Sequence, residues 1–103
     1  MKKIYKTHFN VINNVINEKS VLLYQLEVTL DLANHQYYFN NIKQNIDCIT
    51  KQYHNHVINS ASCEKLVKEL YDKIYQKFFT ASVPIISISV KLFENQSFGC
   101  EHP

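Results

Sequence analysis

The chain has 103 residues, a formal net charge of +2 and 46% apolar residues, which suits one domain whose small core subunit contacts could extend. Its charges are scattered rather than gathered in Lys/Arg runs, so composition does not favour a nucleic-acid partner. A single glycine excludes the glycine-rich phosphate loops of the common nucleotide-binding motifs.

The three cysteines, Cys48, Cys63 and Cys100, are odd in number and have no CxxC spacing. This pattern fits neither a zinc ribbon nor a disulfide framework, so we expect reduced thiols that are buried or incidental rather than nucleophilic. The N-terminal segment lacks the apolar stretch of a signal peptide, and no run of about twenty apolar residues could span a membrane. The sequence therefore predicts a soluble cytoplasmic protein, with no membrane partner.

The first two predicted elements form a long β-hairpin. Residues 4–16 are compatible with a helix or a strand, but their asparagines and β-branched residues favour the strand. Residues 17–20 predict a polar turn. In the strand that follows, apolar and polar residues alternate. The apolar positions are Leu22, Tyr24, Leu26, Val28, Leu30 and Leu32.

Two amphipathic helices come next, each with apolar residues at steps of three and four that need a flat apolar partner. The first stripe is Phe39, Ile42, Ile46, Ile49 and Tyr53, and the second is Leu66, Val67, Leu70, Ile74 and Phe78. Between them, His54 and His56 are expected in a loop. Ser62 is predicted to cap the second helix, and Glu64 suits the positive end of its dipole. Glu69 and Lys73 are spaced for an ion pair on its outer side.

A last long strand is predicted after Pro84, because proline disfavours helical geometry in the residue before it. Its inward residues would be Ile86, Ile88, Val90 and Leu92, and residues 96–101 would add a short strand. The order β-β-α-α-β-β indicates an α+β fold, an antiparallel sheet with both helices on one face. The far face carries Val21, Leu23, Ile85 and Phe93. We therefore expect another subunit to cover that face.

Four segments of the chain follow one another in the same order as the sequence motifs of a known group of enzymes. They are SVLLYQLEVTL at residues 20–30, HNHVIN at 54–59, SASCEKLV at 60–67 and VKLFEN at 90–95. They resemble the HGHNYxVEVTL, DHxxLN, NPTxENLA and V-x-x-WET segments of the tunnelling-fold (T-fold) pterin enzymes, in particular the 6-pyruvoyl-tetrahydropterin synthase and 6-carboxy-tetrahydropterin synthase family. The resemblance covers most of the chain. It implies a single T-fold domain over residues 1–103, in a ring-shaped homo-oligomer whose sheets join into a barrel with pterin sites between subunits.

The resemblance also implies roles for particular residues. A carboxylate in these enzymes meets the amino group and ring N–H of the pterin with two parallel hydrogen bonds, a strong geometry when partly buried. Glu64 and Glu94 are the two candidate anchors, and Ser62 and Cys63 are candidate substrate-binding residues beside Glu64. His54 stands at the position of the family's acid–base aspartate and is a candidate catalytic residue.

No cofactor, and zinc in particular, is expected. A catalytic zinc site needs three good ligands, but Ser20 and Leu22 occupy the positions of the HGH histidines. The first strand contains His8, which is the candidate for the third zinc ligand. The loop that carries the family's catalytic cysteine is replaced by residues 17–20, so the usual zinc-dependent chemistry is not predicted.

A second T-fold relative, the metal-free dihydroneopterin aldolase, is also similar to this chain. Its LIExLA helix start resembles CEKLV at residues 63–67, which would make Glu64 the anchor. Its tyrosine before the first helix falls near Tyr38, a second catalytic candidate, while Glu94 replaces its last-strand lysine. Four interpretations stay open: a synthase-like protein acting on a dihydroneopterin-type substrate, an aldolase, a catalytically degenerate T-fold that binds or assembles, and an α+β interaction domain outside this family.

Overall fold

The structure is a computed structural model that describes residues 2–15, 18–33, 39–59, 63–81, 85–94 and 98–102. Its elements are β1 (Lys2–Val15), β2 (Glu18–Leu32), α1 (Phe39–Tyr53), β3 (His56–Asn59), α2 (Cys63–Thr80), β4 (Ile85–Glu94) and β5 (Phe98–His102). The five strands form one sheet in the order β3-β1-β2-β4-β5. The α+β class predicted from the sequence is confirmed.

The sheet is mixed rather than antiparallel. The neighbouring pairs β1–β2, β2–β4 and β4–β5 are antiparallel, but β3 runs parallel to β1. The predicted loop between the helices is therefore wrong over residues 56–59. A four-residue strand is too short to establish an alternating pattern in the sequence.

The hairpin of β1 and β2 pairs along its whole length, from Lys2 opposite Asp31 to Val15 opposite Glu18. The polar turn predicted over residues 17–20 is too long, because residues 18–20 already belong to β2. The strand interpretation of residues 4–16 holds through Val15.

Both helices lie on one face of the sheet and bury the predicted stripes against it. Every residue of the α2 stripe is buried, as are the described residues of the α1 stripe. The described part of the sheet contributes ten buried residues to the core, which are Phe9, Val11, Tyr24, Leu26, Val28, Leu30, Leu32, Ile88, Val90 and Leu92. Each such side chain contributes about 1.5–3 kcal/mol when fully buried, so this interface accounts for most of the stability. Neither helix of the described part has the length and apolarity needed to cross a membrane.

The start of β4 is out of phase with the rest of that strand. A register shift at Asp31 and Leu32 sets Leu32 opposite Ile85. Ile85 therefore packs against the core, and Ile86 is 66% exposed. The prediction that Ile86 faces inward and Ile85 outward is wrong, because alternation describes an unbroken strand and a bulge shifts it by one residue.

The face of the sheet away from the helices carries exposed apolar side chains near the hairpin end. Val21 is 67% exposed and Leu23 is 44% exposed. Ile12 is in register with both Val21 and Val57, so three strands contribute to one surface. We call Ile12, Val21, Leu23 and Val57 the outer apolar patch. No helix in the described part of the chain covers it.

One edge of the sheet is only partly covered. β3 pairs with residues 11–14 of β1, and the main-chain groups of Asn10 bind residues 54 and 55 instead. Since the hydrogen-bonding direction alternates along a strand, the main-chain groups of residues 4, 6 and 8 face the same side as those of Asn10. Within the described ranges no strand pairs with residues 2–9 on that side. We call this stretch the open edge of β1.

Candidate functional site

The structure separates the predicted site residues into two places. His54 lies beside β1, whereas Cys63, Glu64 and Glu94 lie where α2 begins and β4 ends. Tyr38 and Ser62 lie outside the described residues, so their predicted roles stay predictions.

Glu94 is the last residue of β4 and lies in register with Tyr24 of β2. Tyr24 is in turn in register with Phe9 of β1, and the two rings stack with centroids 5.7 Å apart. By alternation with the buried Leu92, the Glu94 side chain points to the helix-covered face, where it is half-buried. A carboxylate thus stands beside two stacked aromatic rings where β4 ends, about midway along the β1–β2 hairpin.

Cys63 fixes the start of α2 over this part of the sheet. Its side chain is 7% exposed, and its thiol donates to the carbonyl oxygen of Leu92, with Sγ 3.7 Å from the oxygen. The expectation that this cysteine is buried is confirmed, and its role as a substrate-binding residue stays a prediction. Glu64 follows in the first turn with an exposed side chain. Both candidate anchors therefore lie near the end of β4.

His54 is held against β1 by a main-chain hydrogen bond. The N–H of Asn10 donates to Nδ1 of His54 at 3.2 Å, and the N–H of Asn55 donates to the carbonyl of Asn10 at 2.7 Å. Asn55 has φ of 61°, the left-handed geometry that commonly ends a helix and that asparagine tolerates. Because Nδ1 accepts a hydrogen bond, the proton of the neutral ring is on Nε2.

His54 also lines a cleft of about 350 Å³ between α1 and the open edge of β1. The polar residues that line this cleft are Tyr5, Thr7, His8, Lys43, Asp47, Thr50, Lys51 and His54. The Tyr5 hydroxyl donates to Oδ1 of Asp47 at 2.7 Å. Burial, and next this hydrogen bond, raise the pKa of Tyr5, so its hydroxyl keeps its proton at neutral pH. We call this the α1–β1 cleft.

A second polar cluster joins the two helices. The Tyr53 hydroxyl donates to Oε1 of Glu69 at 2.6 Å. Lys73 Nζ lies 3.6 Å from the same oxygen and 4.7 Å from the centroid of the Tyr53 ring. The predicted Glu69–Lys73 pair is confirmed. Burial, and next the hydrogen bond to Glu69, raise the pKa of Tyr53 well above its usual range.

Sequence reasoning missed the α1–β1 cleft and, in the second cluster, the hydrogen bond of Tyr53 to the predicted Glu69–Lys73 pair. It assigned Tyr53 to the apolar stripe and did not treat its hydroxyl, although a buried tyrosine hydroxyl usually finds a partner. For the α1–β1 cleft a signal was present, because Lys43, Asp47 and Lys51 recur every four residues on one side of α1. The contribution of Tyr5 comes from a distant strand and has no local signal.

The residues that would correspond to zinc ligands do not form a site. Ser20 is exposed, and Leu22 packs against the apolar core. His8 follows Thr7 and precedes the inward-facing Phe9, so strand alternation directs its side chain to the opposite face of the sheet. The residue also lines the α1–β1 cleft. Among the described residues, no group of three or more His, Cys, Asp or Glu is placed to hold a metal ion.

Comparison with known proteins provides no family for this chain. No protein-family model and no curated protein sequence matches it. A function therefore has to be inferred from the side chains and their arrangement.

Proposed function

We propose that this protein is a T-fold pterin-binding protein, acting on a dihydroneopterin-type substrate without zinc and using Glu94 as the anchor. The position of Glu94 carries the proposal. The residue is half-buried beside the stacked rings of Tyr24 and Phe9, and it is close to the start of α2. A carboxylate in such surroundings suits the paired N–H groups of a pterin, since charge-assisted bidentate hydrogen bonds are strongest when partly shielded from water.

The arrangement of elements supports the T-fold part of the proposal. The antiparallel strands β1, β2, β4 and β5 follow the predicted order around two helices, which pack on one face. The outer apolar patch and the open edge of β1 would both be covered if sheets of neighbouring subunits joined into a barrel. In this proposal the protein is a cytoplasmic ring with sites between subunits.

The same geometry favours Glu94 over Glu64. Glu64 is exposed, so its hydrogen bonds to a ligand would compete with water, whereas Glu94 is half-buried. If Glu94 is the anchor, the protein binds its pterin as the synthases do. Dihydroneopterin aldolase, with Glu64 as the anchor, is the second candidate function, supported by the location of Glu64 near the end of β4.

His54 can join such a site only across a subunit boundary. Glu94 is on β4, two strand spacings or about 10 Å from β1, and His54 lies on the far side of β1. We therefore propose that His54 of one subunit faces Glu94 of the next, with Nε2 as the group that exchanges a proton. Tyr38, Ser62 and Cys63 stay predicted contributors to the same site.

The binding test is a titration with neopterin, followed by pterin fluorescence and thermal shift. Glu94→Gln is expected to weaken binding about tenfold or more, because a hydrogen bond to a charged group contributes about 1.5–3 kcal/mol. Glu64→Gln, which removes the same charge from an exposed residue in the first turn of α2, is the matched control and should bind normally. The reverse result would favour the aldolase, and absence of saturable neopterin binding by the folded protein would exclude the pterin proposal.

The activity test supplies dihydroneopterin and its triphosphate separately, with and without a chelator. Turnover that persists with the chelator is expected, because the positions of the zinc ligands hold Ser20 and Leu22. Loss of turnover on chelation would contradict a zinc-free mechanism. Neopterin binding without turnover of either compound would identify the catalytically degenerate T-fold instead.

A further inference from the structure

The α1–β1 cleft has the features of a separate ligand site. Its volume of about 350 Å³ lies within the range of about 300–1,000 Å³ that small-molecule pockets occupy. It opens beside the open edge of β1, and its polar groups come from two elements distant in sequence. Convergence of such groups on one concavity is the usual mark of a binding site.

Within the described part of the chain, neither lysine of the cleft takes part in an ion pair. Lys43 and Lys51 each lie one helical turn from Asp47, at the spacing of an ion pair. No ion pair joins Asp47 to either lysine among the residues that the structure describes, and Oδ1 of Asp47 is bound by Tyr5. The lysine side chains lining the cleft are thus available to a ligand.

The groups available in the cleft include both donors and an acceptor. Lys43, Lys51 and the Nε2–H of His54 are donors, and two of the three carry a positive charge. Asp47 offers its second oxygen, Oδ2, as an acceptor, because Tyr5 uses Oδ1. An oxyanion with a hydroxyl nearby matches both sets of groups.

We propose that the α1–β1 cleft binds a small organic phosphate that also carries a hydroxyl group. Lys43, Lys51 and His54 hold the phosphate, and Oδ2 of Asp47 accepts a hydrogen bond from the hydroxyl. Phosphate is favoured over a carboxylate because two lysines and an imidazole N–H can serve several oxygens at once. The cleft is larger than a single phosphate group requires, which leaves space for the organic part.

The cleft does not contain the pterin anchor Glu94. Both proposals use His54, so they are tested at different residues, Glu94 for the pterin and the two lysines for the phosphate. Within one subunit, β1 and β2 separate the cleft from β4, which carries Glu94. Failure of neopterin binding would leave the phosphate proposal standing, and failure of phosphate binding would leave the pterin proposal standing.

The experiment is a calorimetric titration of the full chain with three probes: glycerol 3-phosphate, inorganic phosphate and glycerol. Glycerol 3-phosphate should bind most tightly and glycerol should not bind. The double variant K43Q/K51Q should lose about tenfold or more in affinity, which corresponds to about 1.4 kcal/mol. The control K65Q/K68Q removes two exposed lysines from α2 and should bind as the unmodified protein does.

A third variant tests the acceptor. Asp47→Asn should bind inorganic phosphate more tightly, because a negative charge is removed, while losing the preference for glycerol 3-phosphate. Amide chemical-shift changes confined to α1 and β1 would support the site. The proposal is overturned if glycerol 3-phosphate does not saturate, if K65Q/K68Q loses as much affinity as K43Q/K51Q, or if inorganic phosphate binds the unmodified protein as tightly as glycerol 3-phosphate does.

Discussion

His54 joins the end of α1 to the middle of β1 through one hydrogen bond, from the Asn10 N–H to its Nδ1. We expect His54→Ala to lower the free energy of unfolding by about 1 kcal/mol, the usual net contribution of such a bond. Hydrogen exchange at the Asn10 amide should become faster. His56→Ala, which changes a nearby exposed histidine, is the control. Unchanged exchange at Asn10 in His54→Ala would contradict the structure.

The hydroxyl of Tyr53 should make stability depend on pH in the alkaline range. Because the folded state raises the pKa of Tyr53, the stabilisation is fully present below the ordinary tyrosine value of about 10 and is lost as pH rises above it. Tyr53→Phe should therefore lower the free energy of unfolding by roughly 1 kcal/mol at neutral pH. Between neutral and strongly alkaline pH, however, the free energy of unfolding should fall less for this variant than for the unmodified protein. Urea unfolding at several pH values measures both effects. Parallel pH curves for the two proteins would count against this account.

At the scale of the elements, the bulge at the start of β4 gives opposite roles to two isoleucines that simple alternation places together. Ile88→Ala should lower the free energy of unfolding by about 2–4 kcal/mol, because it removes core volume. Ile86→Ala should change it by less than about 0.5 kcal/mol, since Ile86 is exposed. Denaturant unfolding of the pair measures the difference. Similar losses in both variants would show that the strand is unbroken.

The accuracy of the sequence predictions depended on the length of each pattern. The stripe of α2 belongs to a helix of eighteen residues, so its period was unambiguous, and every member is buried. β3 has four residues and no measurable period, and the bulge at Leu32 depends on how two strands meet. Glu94 could be suggested from a resemblance, but its half-buried position and its aromatic neighbours depend on pairings between strands, which one sequence does not encode locally.

At the scale of the whole molecule, the proposed ring requires the outer apolar patch to be an interface between subunits. Val21→Glu combined with Leu23→Glu should shift the protein from an oligomer to a monomer, because charges would have to be buried at the joined sheets. Lys19→Glu, an exposed change on the same strand, should leave assembly intact. Light scattering after size exclusion gives the mass, and circular dichroism checks the fold. A monomeric unmodified protein would contradict the ring.

The parallel pairing of β3 with β1 has a consequence for the kinetics of folding. β1 and β2 can pair through a short local connection, but all of β2 and α1 lie between β1 and β3 in the sequence. We therefore expect the entropic cost of closing that loop to come late in folding. We expect Ile58→Ala, which weakens the packing of β3 on the core, to accelerate unfolding while leaving the folding rate nearly unchanged. Stopped-flow folding and unfolding rates would test this, and a slower folding rate would place β3 in the nucleus. A late-forming strand would also make the edge of the sheet next to His54 the first part of the molecule to open.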